Sequence, residues 1–252
     1  MRLETYSSGA GDHTIALVHG AMAHHGTWHA VEAELVGRGH RVLGVDMRGH
    51  GRSPRGRYSV EALGDDLADS LPTGLDAVVG HSMGGVALSL AVERLRPRRA
   101  VYVDPAFRLP PMADDAGERM RRVFATADVE GVRQLNPRWS DADVEKELSG
   151  FASFDPAFFD FVASEVAGRD FLPERPAVPS LVLRAGNGIT VDPRAARELA
   201  ERGFTVRVVE GAGHCVHRDE PAALVDALDD WARGRAPSSP RKTAAGAARA
   251  LL

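Results

Sequence analysis

The chain of 252 residues is long enough for one large domain with a substantial buried core. Its hydrophobic content of 44%, charged content of 26% and net charge of −4 are ordinary for a globular protein. They argue against a nucleic-acid or membrane-surface partner. The single cysteine, Cys215, excludes an internal disulfide framework, and the amino terminus has no apolar signal region. We therefore expect a cytoplasmic protein, present as a monomer or homodimer, that acts on a small molecule.

Apolar, β-rich runs alternate with helical patterns along most of the chain. Residues 2–7 are a candidate antiparallel edge strand, and the other predicted strands are 14–18, 41–46, 75–80, 99–104, 180–185 and 205–209. The predicted helices are 28–38, 59–71, 84–95, 193–203 and 219–233. Such alternation predicts an α/β fold with a mostly parallel, doubly wound sheet that is covered by helices on both faces.

One segment, 105–179, interrupts this alternation between two sheet strands. It shows no clear strand pattern and predicts short helices separated by Pro, Asp and Gly, so we expect an inserted helical subdomain over the sheet edge. Eight of the nine phenylalanines lie in it, more than its own small core requires. Residues 1–104 and 180–234 are the predicted core, and 235–252, rich in Ala, Pro and Ser, predict a disordered tail.

The sequence GHSMGG at 80–85 lies between an apolar run and a helical pattern. Glycines at positions 80 and 84 flank Ser82 at a spacing that permits a sharp strand–turn–helix connection. A serine at the apex of such a turn presents its hydroxyl close to a helix amino terminus. Ser82 is therefore the candidate nucleophile.

Three further segments occur in a consistent order around this serine: IALVHGA at 15–21, DMRGHGRS at 46–53 and VRVVEGAGH at 206–214. With the serine turn, they make residues 14–231 closely resemble the α/β-hydrolase superfamily. The resemblance implies that the inserted segment is a lid above the nucleophile. It is specific for the fold and much less specific for the substrate.

A serine hydroxyl needs a base within hydrogen-bond reach to act as a nucleophile. The resemblance implies His214 for this role, since it follows the last strand, where the family carries its histidine. The oxyanion that forms on the substrate needs two backbone N–H donors. Met83, the residue after the nucleophile, offers one, and the resemblance implies Ala21 for the other.

The acid is where the chain departs from the common family pattern. The usual position after the penultimate strand reads GNGIT at 186–190 and has no carboxylate. Asp192 is the nearest, but with Pro193 it resembles a helix cap. Asp104 closes the strand after the nucleophile, at the sheet edge where sites gather, and some related lactonases and dehalogenases carry their acid there. Asp104 is our first choice, Asp192 the second, and the absence of a working acid the third.

The expected reaction is hydrolysis of an ester or lactone of an apolar small molecule through an acyl-enzyme. Amidase, C–C bond hydrolase and cofactor-free peroxidase activities share these residues, and a slow or non-catalytic ligand sensor on the same fold is the alternative class. Trp28 either walls the substrate pocket or packs in the core. The full set of predicted pocket residues is Trp28, Phe107, Phe124, Trp139 and Phe158.

Neither a metal nor a cofactor is expected. The sequence has no metal-binding motif of the HExxH or CxxC type, no phosphate loop and no dinucleotide-binding glycine pattern. Cys215, beside His214, is interpreted as a small buried loop residue, because nothing around it in sequence would lower its pKa.

Overall fold

The computed structural model describes residues 1–187 and 190–233. Seven strands form one sheet. They are β1 (Thr5–Ser8), β2 (Thr14–Val18), β3 (Arg41–Val45), β4 (Ala77–His81), β5 (Ala100–Val103), β6 (Ser180–Ala185) and β7 (Thr205–Val209).

The spatial order of the strands is β1-β3-β2-β4-β5-β6-β7. Only β1 is antiparallel, pairing with β3 at the edge, and the other neighbours among these strands are parallel. The predicted mostly parallel sheet is therefore confirmed. Because parallel strands end at the same edge, the residues that follow β4, β5 and β7 meet on one side of the molecule.

Ten α-helices accompany the sheet within the described residues. They are α1 (His29–Gly37), α2 (Val60–Ser70), α3 (Met83–Leu95), α4 (Ala116–Ala125), α5 (Val129–Leu135), α6 (Asp141–Ser153), α7 (Phe158–Phe161), α8 (Pro193–Glu201), α9 (Val216–Asp219) and α10 (Pro221–Ala232).

The parallel strands contribute side chains to two hydrophobic cores, one on each face of the sheet. In β2, Ala16 and Val18 pack with residues of α2, α3 and α8, whereas Ile15 and Leu17 pack with residues of α1 and α10. The period of two along a strand explains this division. Both faces are covered, so the sheet is doubly wound and its strands read as continuous apolar runs.

Residues 105–179, called the inserted segment below, connect β5 to β6 and contain α4, α5, α6 and α7. Part of it forms a third small core in which Val132, Trp139 and Val144 are buried and Phe151 and Cys215 pack against them. The predicted tail, 235–252, lies outside the described residues. Within residues 1–187 and 190–233, no helix combines the length and the apolar character that crossing a bilayer requires.

Candidate active site

Ser82 lies between β4 and α3, at the carboxyl edge of the sheet. Its φ of 52° and ψ of −118° are a combination that side-chain-bearing residues rarely adopt. Four backbone hydrogen bonds hold it there: its N–H donates to Val103 O at 3.0 Å, and its carbonyl accepts from Gly85 N at 3.0 Å, Ala106 N at 3.1 Å and Val86 N at 3.3 Å. The strained serine is thus fixed at the amino terminus of α3.

Two glycines make this turn sterically possible. A Cβ at Gly80 would lie 2.5 Å from the carbonyl oxygen of Gly84, and a Cβ at Gly84 would lie 2.4 Å from the carbonyl oxygen of His19. Both distances are far inside van der Waals contact. The spacing noted in the sequence therefore reflects close approach of α3 to β4 and to the end of β2.

The structure brings Ser82, His214 and Asp104 together in one chain of hydrogen bonds. The Ser82 hydroxyl lies 3.0 Å from His214 Nε2, and His214 Nδ1 lies 2.7 Å from Asp104 Oδ2. With Nδ1 donating to the carboxylate, Nε2 carries the lone pair that faces the hydroxyl. The arrangement is therefore able to accept a proton from Ser82.

Asp104 is fully buried, and protein groups hold its carboxylate on two further sides. Oδ1 accepts from Ala185 N at 3.1 Å, and Oδ2 accepts from the Thr190 hydroxyl at 2.6 Å. The sequence analysis did not identify Thr190. The available signal was a hydroxyl residue in the loop after β6, where the common pattern would have placed the acid.

Asp192 does not take part in this chain of hydrogen bonds. It is exposed and its carboxylate accepts from Ala195 N at 2.7 Å, which caps α8 with Pro193 in the first turn. Asp192 is therefore a helix cap. The carboxylate that lies beside His214 is that of Asp104.

A second histidine, His81, ties the serine turn to the loop that carries His214. His81 immediately precedes Ser82, and its Nε2 donates to the backbone carbonyl of His214 at 2.9 Å. Burial holds the pKa of His81 well below its usual value, so the ring is neutral and can act as a fixed donor. This contact was not foreseen from the sequence.

The two candidate oxyanion donors, Met83 and Ala21, belong to two different segments of the chain. Met83 is the first residue of α3, so its N–H has no acceptor within the helix. Ala21 lines the cavity at Ser82, on the loop that follows β2. Both positions are compatible with donation to an oxygen bound at Ser82.

Two buried histidines shape the loop that carries Ala21. His19 Nδ1 donates to Gly20 O at 2.6 Å, and His50 Nε2 accepts from Met22 N at 3.0 Å. Burial lowers the pKa of His19 to about 3 and that of His50 to about 4. Both rings are therefore neutral near pH 7 and serve as hydrogen-bonding parts of the loop.

A cavity of about 440 Å³ opens from Ser82 and His214. The larger apolar side chains that line it from the inserted segment are Val123, Phe124, Val132, Leu135 and Phe151. Glu147 and Arg218 lie among the polar lining residues and form an ion pair of 2.6 Å. The cavity is large enough for a small-molecule ligand, and most of its exposed lining is apolar.

Of the five predicted pocket residues, Phe124 lies in the cavity lining. The other four lie elsewhere in the described structure, so the prediction that they line the pocket is wrong. They are Trp28, Phe107, Trp139 and Phe158.

Phe107 and Phe158 are buried in the hydrophobic core that contains Ala16 and Val18. Phe107 packs against Tyr102 with ring centroids 5.6 Å apart, and Phe158 packs edge-on against His50 at 4.8 Å and Tyr58 at 5.2 Å. These rings join the inserted segment to the sheet. Their burial leaves them no surface for a substrate.

The two tryptophans also have partners in the protein. Trp28 is fully buried against the His217 ring, with centroids 4.3 Å apart, which is the core-packing alternative. Trp139 Nε1 donates to Asp219 Oδ1 at 2.8 Å. Both tryptophans therefore contact α9, the short helix that follows His214.

Cys215 lines the cavity next to His214, but its environment disfavours the thiolate. Burial raises the pKa of the Cys215 thiol to about 12, so the group is protonated at neutral pH. A protonated thiol is a weak nucleophile, which leaves Ser82 as the favoured attacking group.

One cluster, formed by His24, His25 and Asp46, is compact enough to surround a metal ion. The Asp46 carboxylate, however, already accepts four hydrogen bonds. Its Oδ1 takes the backbone N–H and Nδ1 of His25 at 2.8 and 2.9 Å, and its Oδ2 takes Tyr6 Oη and Arg52 N, both at 2.9 Å. We interpret the cluster as a hydrogen-bonded turn.

The chain is similar to known proteins along most of its length. Residues 15–227 match the model of the Alpha/beta hydrolase family. The sn-1-specific diacylglycerol lipase ABHD11 of Mus musculus is 30% identical over 251 residues, covering 86% of this chain and 80% of the relative. Esterase YbfF of Escherichia coli (strain K12) is 26% identical over 254 residues, covering 90% and 96%.

A solved structure shows the same likeness in three dimensions. A thermophilic esterase from Thermogutta terrifontis, with malate bound, matches with a TM-score of 0.68 at 25% identity, covering 92% of this chain and 93% of that one. The fold, the family match and the extent of these alignments lead to one conclusion: this chain belongs to the alpha/beta hydrolase family of enzymes.

Proposed function

We propose that this protein is a serine hydrolase that cleaves an ester or lactone of an apolar small molecule through an acyl-enzyme. The observation that carries the proposal is the hydrogen-bonded chain from Ser82 through His214 to Asp104 at one end of a largely apolar cavity. The names of the mouse and bacterial relatives, a lipase and an esterase, support ester hydrolysis as the first choice.

In the acylation step, Ser82 Oγ attacks the carbonyl carbon of the substrate while its proton passes to His214 Nε2. Asp104 holds the ring in the required tautomer and stabilises the imidazolium that forms. The bond between the carbonyl carbon and the alkoxy oxygen then breaks, and His214 returns the proton to the leaving alcohol. In a lactone, that alcohol stays attached to the acyl group.

Negative charge builds up on the carbonyl oxygen during attack. The N–H groups of Met83 and Ala21 are the donors for this oxygen, and removing one such donor typically costs about 10²- to 10³-fold in rate. Both are backbone groups, so their side chains do not affect the donation. In deacylation, water takes the place of the alcohol, His214 removes its proton, and the acid product leaves Ser82.

The alternative of a ligand sensor rested on the missing acid after β6. The distance of 2.7 Å between Asp104 and His214 supports a hydrolase in preference to a sensor, because a carboxylate there can orient the ring. Amide, C–C bond and peroxidase substrates use the same three residues. They belong in the test as competing substrate classes.

The test is a series of p-nitrophenyl esters, from acetate to decanoate, hydrolysed by the purified protein and by Ser82→Ala. Each added CH₂ that the cavity accepts contributes about 0.8 kcal/mol, or about fourfold in kcat/KM. We expect medium-length acyl groups to exceed acetate and Ser82→Ala to be inactive. A protein that hydrolyses amide substrates but none of the esters would contradict the proposal, and acetate as the best ester would contradict its apolar acyl site.

A further inference from the structure

The backbone on both sides of His214 is held by side chains that do not belong to the Ser82–His214–Asp104 chain. On one side, His81 Nε2 donates to the carbonyl of His214 itself. On the other, the N–H of Gly213 donates to Asp219 Oδ2 at 2.7 Å. The backbone that carries the imidazole ring is therefore bonded to Asp219 as well as to His81.

Asp219 is in turn held by the inserted segment. Its second carboxylate oxygen accepts the indole N–H of Trp139 at 2.8 Å. Trp139 lies between α5 and α6 and is buried in the third small core. One carboxylate thus joins two donors, the indole of Trp139 on the inserted segment and the backbone N–H of Gly213, the residue before His214.

Further contacts between the inserted segment and the histidine loop run beside this one. The Arg218 guanidinium lies 4.4 Å from the centroid of the Trp139 ring and pairs with Glu147 of α6 at 2.6 Å. Arg138 donates to Gly211 O at 2.5 Å. The inserted segment is therefore docked on the loop at several points, and among these contacts only the one through Asp219 reaches the residue next to His214.

We propose that Asp219 is a positioning residue for His214, and that Trp139 makes this positioning depend on the docking of the inserted segment. Displacement of a reacting group by about 1 Å is enough to lower turnover strongly. Without its indole partner, the Asp219 carboxylate is free to rotate, and the Gly213 peptide loses a fixed acceptor. Turnover then falls because His214 is less often aligned with Ser82 and Asp104.

The first test is Trp139→Phe, which removes the N–H while keeping an aromatic ring for Arg218. A matched control is Trp231→Phe on α10, where the indole N–H donates to Thr205 Oγ1 at 3.2 Å, away from the cavity. The loss of one hydrogen bond corresponds to about 3- to 10-fold in kcat, and we expect KM to change less than about twofold. The control should leave both constants unchanged. A kcat equal to that of the control, or a loss confined to KM, would overturn the proposal.

A second variant, Asp219→Asn, gives a sharper result. Asn offers only one acceptor oxygen to two N–H donors, so its NH₂ group faces one of these donors and cannot accept from it. We therefore expect kcat to fall about 10- to 100-fold. In the Trp139→Phe background the indole donor is gone, and the Asn oxygen can turn to Gly213 without conflict. The double variant should therefore turn over at least as fast as Asp219→Asn alone. Losses that multiply independently would overturn the coupling.

Thermal melts accompany these assays, and if Trp139→Phe does not fold, the nearly isosteric Asp219→Asn carries the test. A lower kcat at an unchanged melting temperature and KM supports the proposal, and a change in KM alone overturns it.

The inference rests on the proposed roles of Ser82 and His214. Turnover that survives Ser82→Ala overturns both, whereas an inactive Ser82→Ala with normal kcat in Asp219→Asn and Trp139→Phe overturns the inference alone.

Discussion

The sheet edge and the inserted segment contribute to the site in different ways. The edge supplies Ser82, Asp104 and His214, each following a strand and each held by backbone as well as side-chain hydrogen bonds. The inserted segment supplies much of the apolar lining through side chains of α4, α5 and α6. We infer that the edge determines whether a bond is cleaved and the segment determines which acyl group is accepted, so mutation should separate the two.

Substitution of the buried carboxylate should have the largest effect. We expect Asp104→Asn to lower kcat by about 10³- to 10⁴-fold for every ester, with KM little changed, because the amide favours the wrong tautomer of His214. Asp192→Asn is the matched control, since Asn caps a helix nearly as well as Asp. Steady-state kinetics on acetate and octanoate esters distinguish the two variants. A large loss for Asp192→Asn and near-normal turnover for Asp104→Asn would reverse the assignment of the acid.

Truncation within the cavity should act on some substrates only. Phe151→Ala removes an apolar wall, so we expect about a tenfold lower kcat/KM for octanoate and less than about twofold for acetate. Phe171→Ala is a matched control, because this partly buried ring lies in the same segment outside the cavity lining. An equal loss on acetate and octanoate would show that the segment does not select the acyl group.

A smaller effect is expected at Thr190, which donates a hydrogen bond to the carboxylate of Asp104. Thr190→Val keeps the shape of the side chain but removes the hydroxyl that donates to Asp104 Oδ2. We expect kcat to fall about 3- to 10-fold on all esters, since the carboxylate loses one hydrogen bond but keeps those to His214 and to Ala185 N. The ratio of octanoate to acetate turnover should stay constant, and a changed ratio would place Thr190 with the acyl site instead.

The sheet edge should also be the acid-sensitive part of the protein. Burial lowers the pKa of His19 to about 3 and of His50 to about 4, and it lowers those of His81 and His217 as well, whereas 105–179 contain no histidine. The unfolded chain binds protons on these residues near pH 6.5, so stability is greatest above that pH and falls as the pH drops toward about 4. Urea unfolding at pH 7.5, 6.5 and 5.5 should show a loss of at least about 1.4 kcal/mol per pH unit below pH 6.5. A flat profile would contradict this.

The sheet edge was largely predictable from the sequence, because local patterns determine it. The turn at Ser82 needs glycines at fixed offsets, and strand-end residues such as Asp104 and His214 meet at one edge in any parallel sheet. The strand–helix order predicted the sheet for the same reason. Thr190 was missed because a hydroxyl in a loop has many ordinary uses, and only three-dimensional proximity to Asp104 shows this one.

The inserted segment was predicted less well, for a physical reason. Aromatic side chains on short helices can face the sheet, each other or the cavity, and helix orientation depends on packing that no local pattern encodes. Phe107 and Phe158 therefore turned out to be core, while Phe151 lines the cavity. Trp139 was predicted to line the pocket, which it does not, and its hydrogen bond to Asp219 was not predicted because it spans 80 positions of sequence.

The most direct test of the account is covalent labelling of the nucleophile. A fluorophosphonate probe should add once per chain, and peptide mapping by mass spectrometry should place it on Ser82. Cys215→Ser should label like the unmodified protein, and Ser82→Ala should not label. Labelling that survives in Ser82→Ala, or a probe found on Cys215, would contradict the central claim that the serine at the end of β4 attacks the substrate.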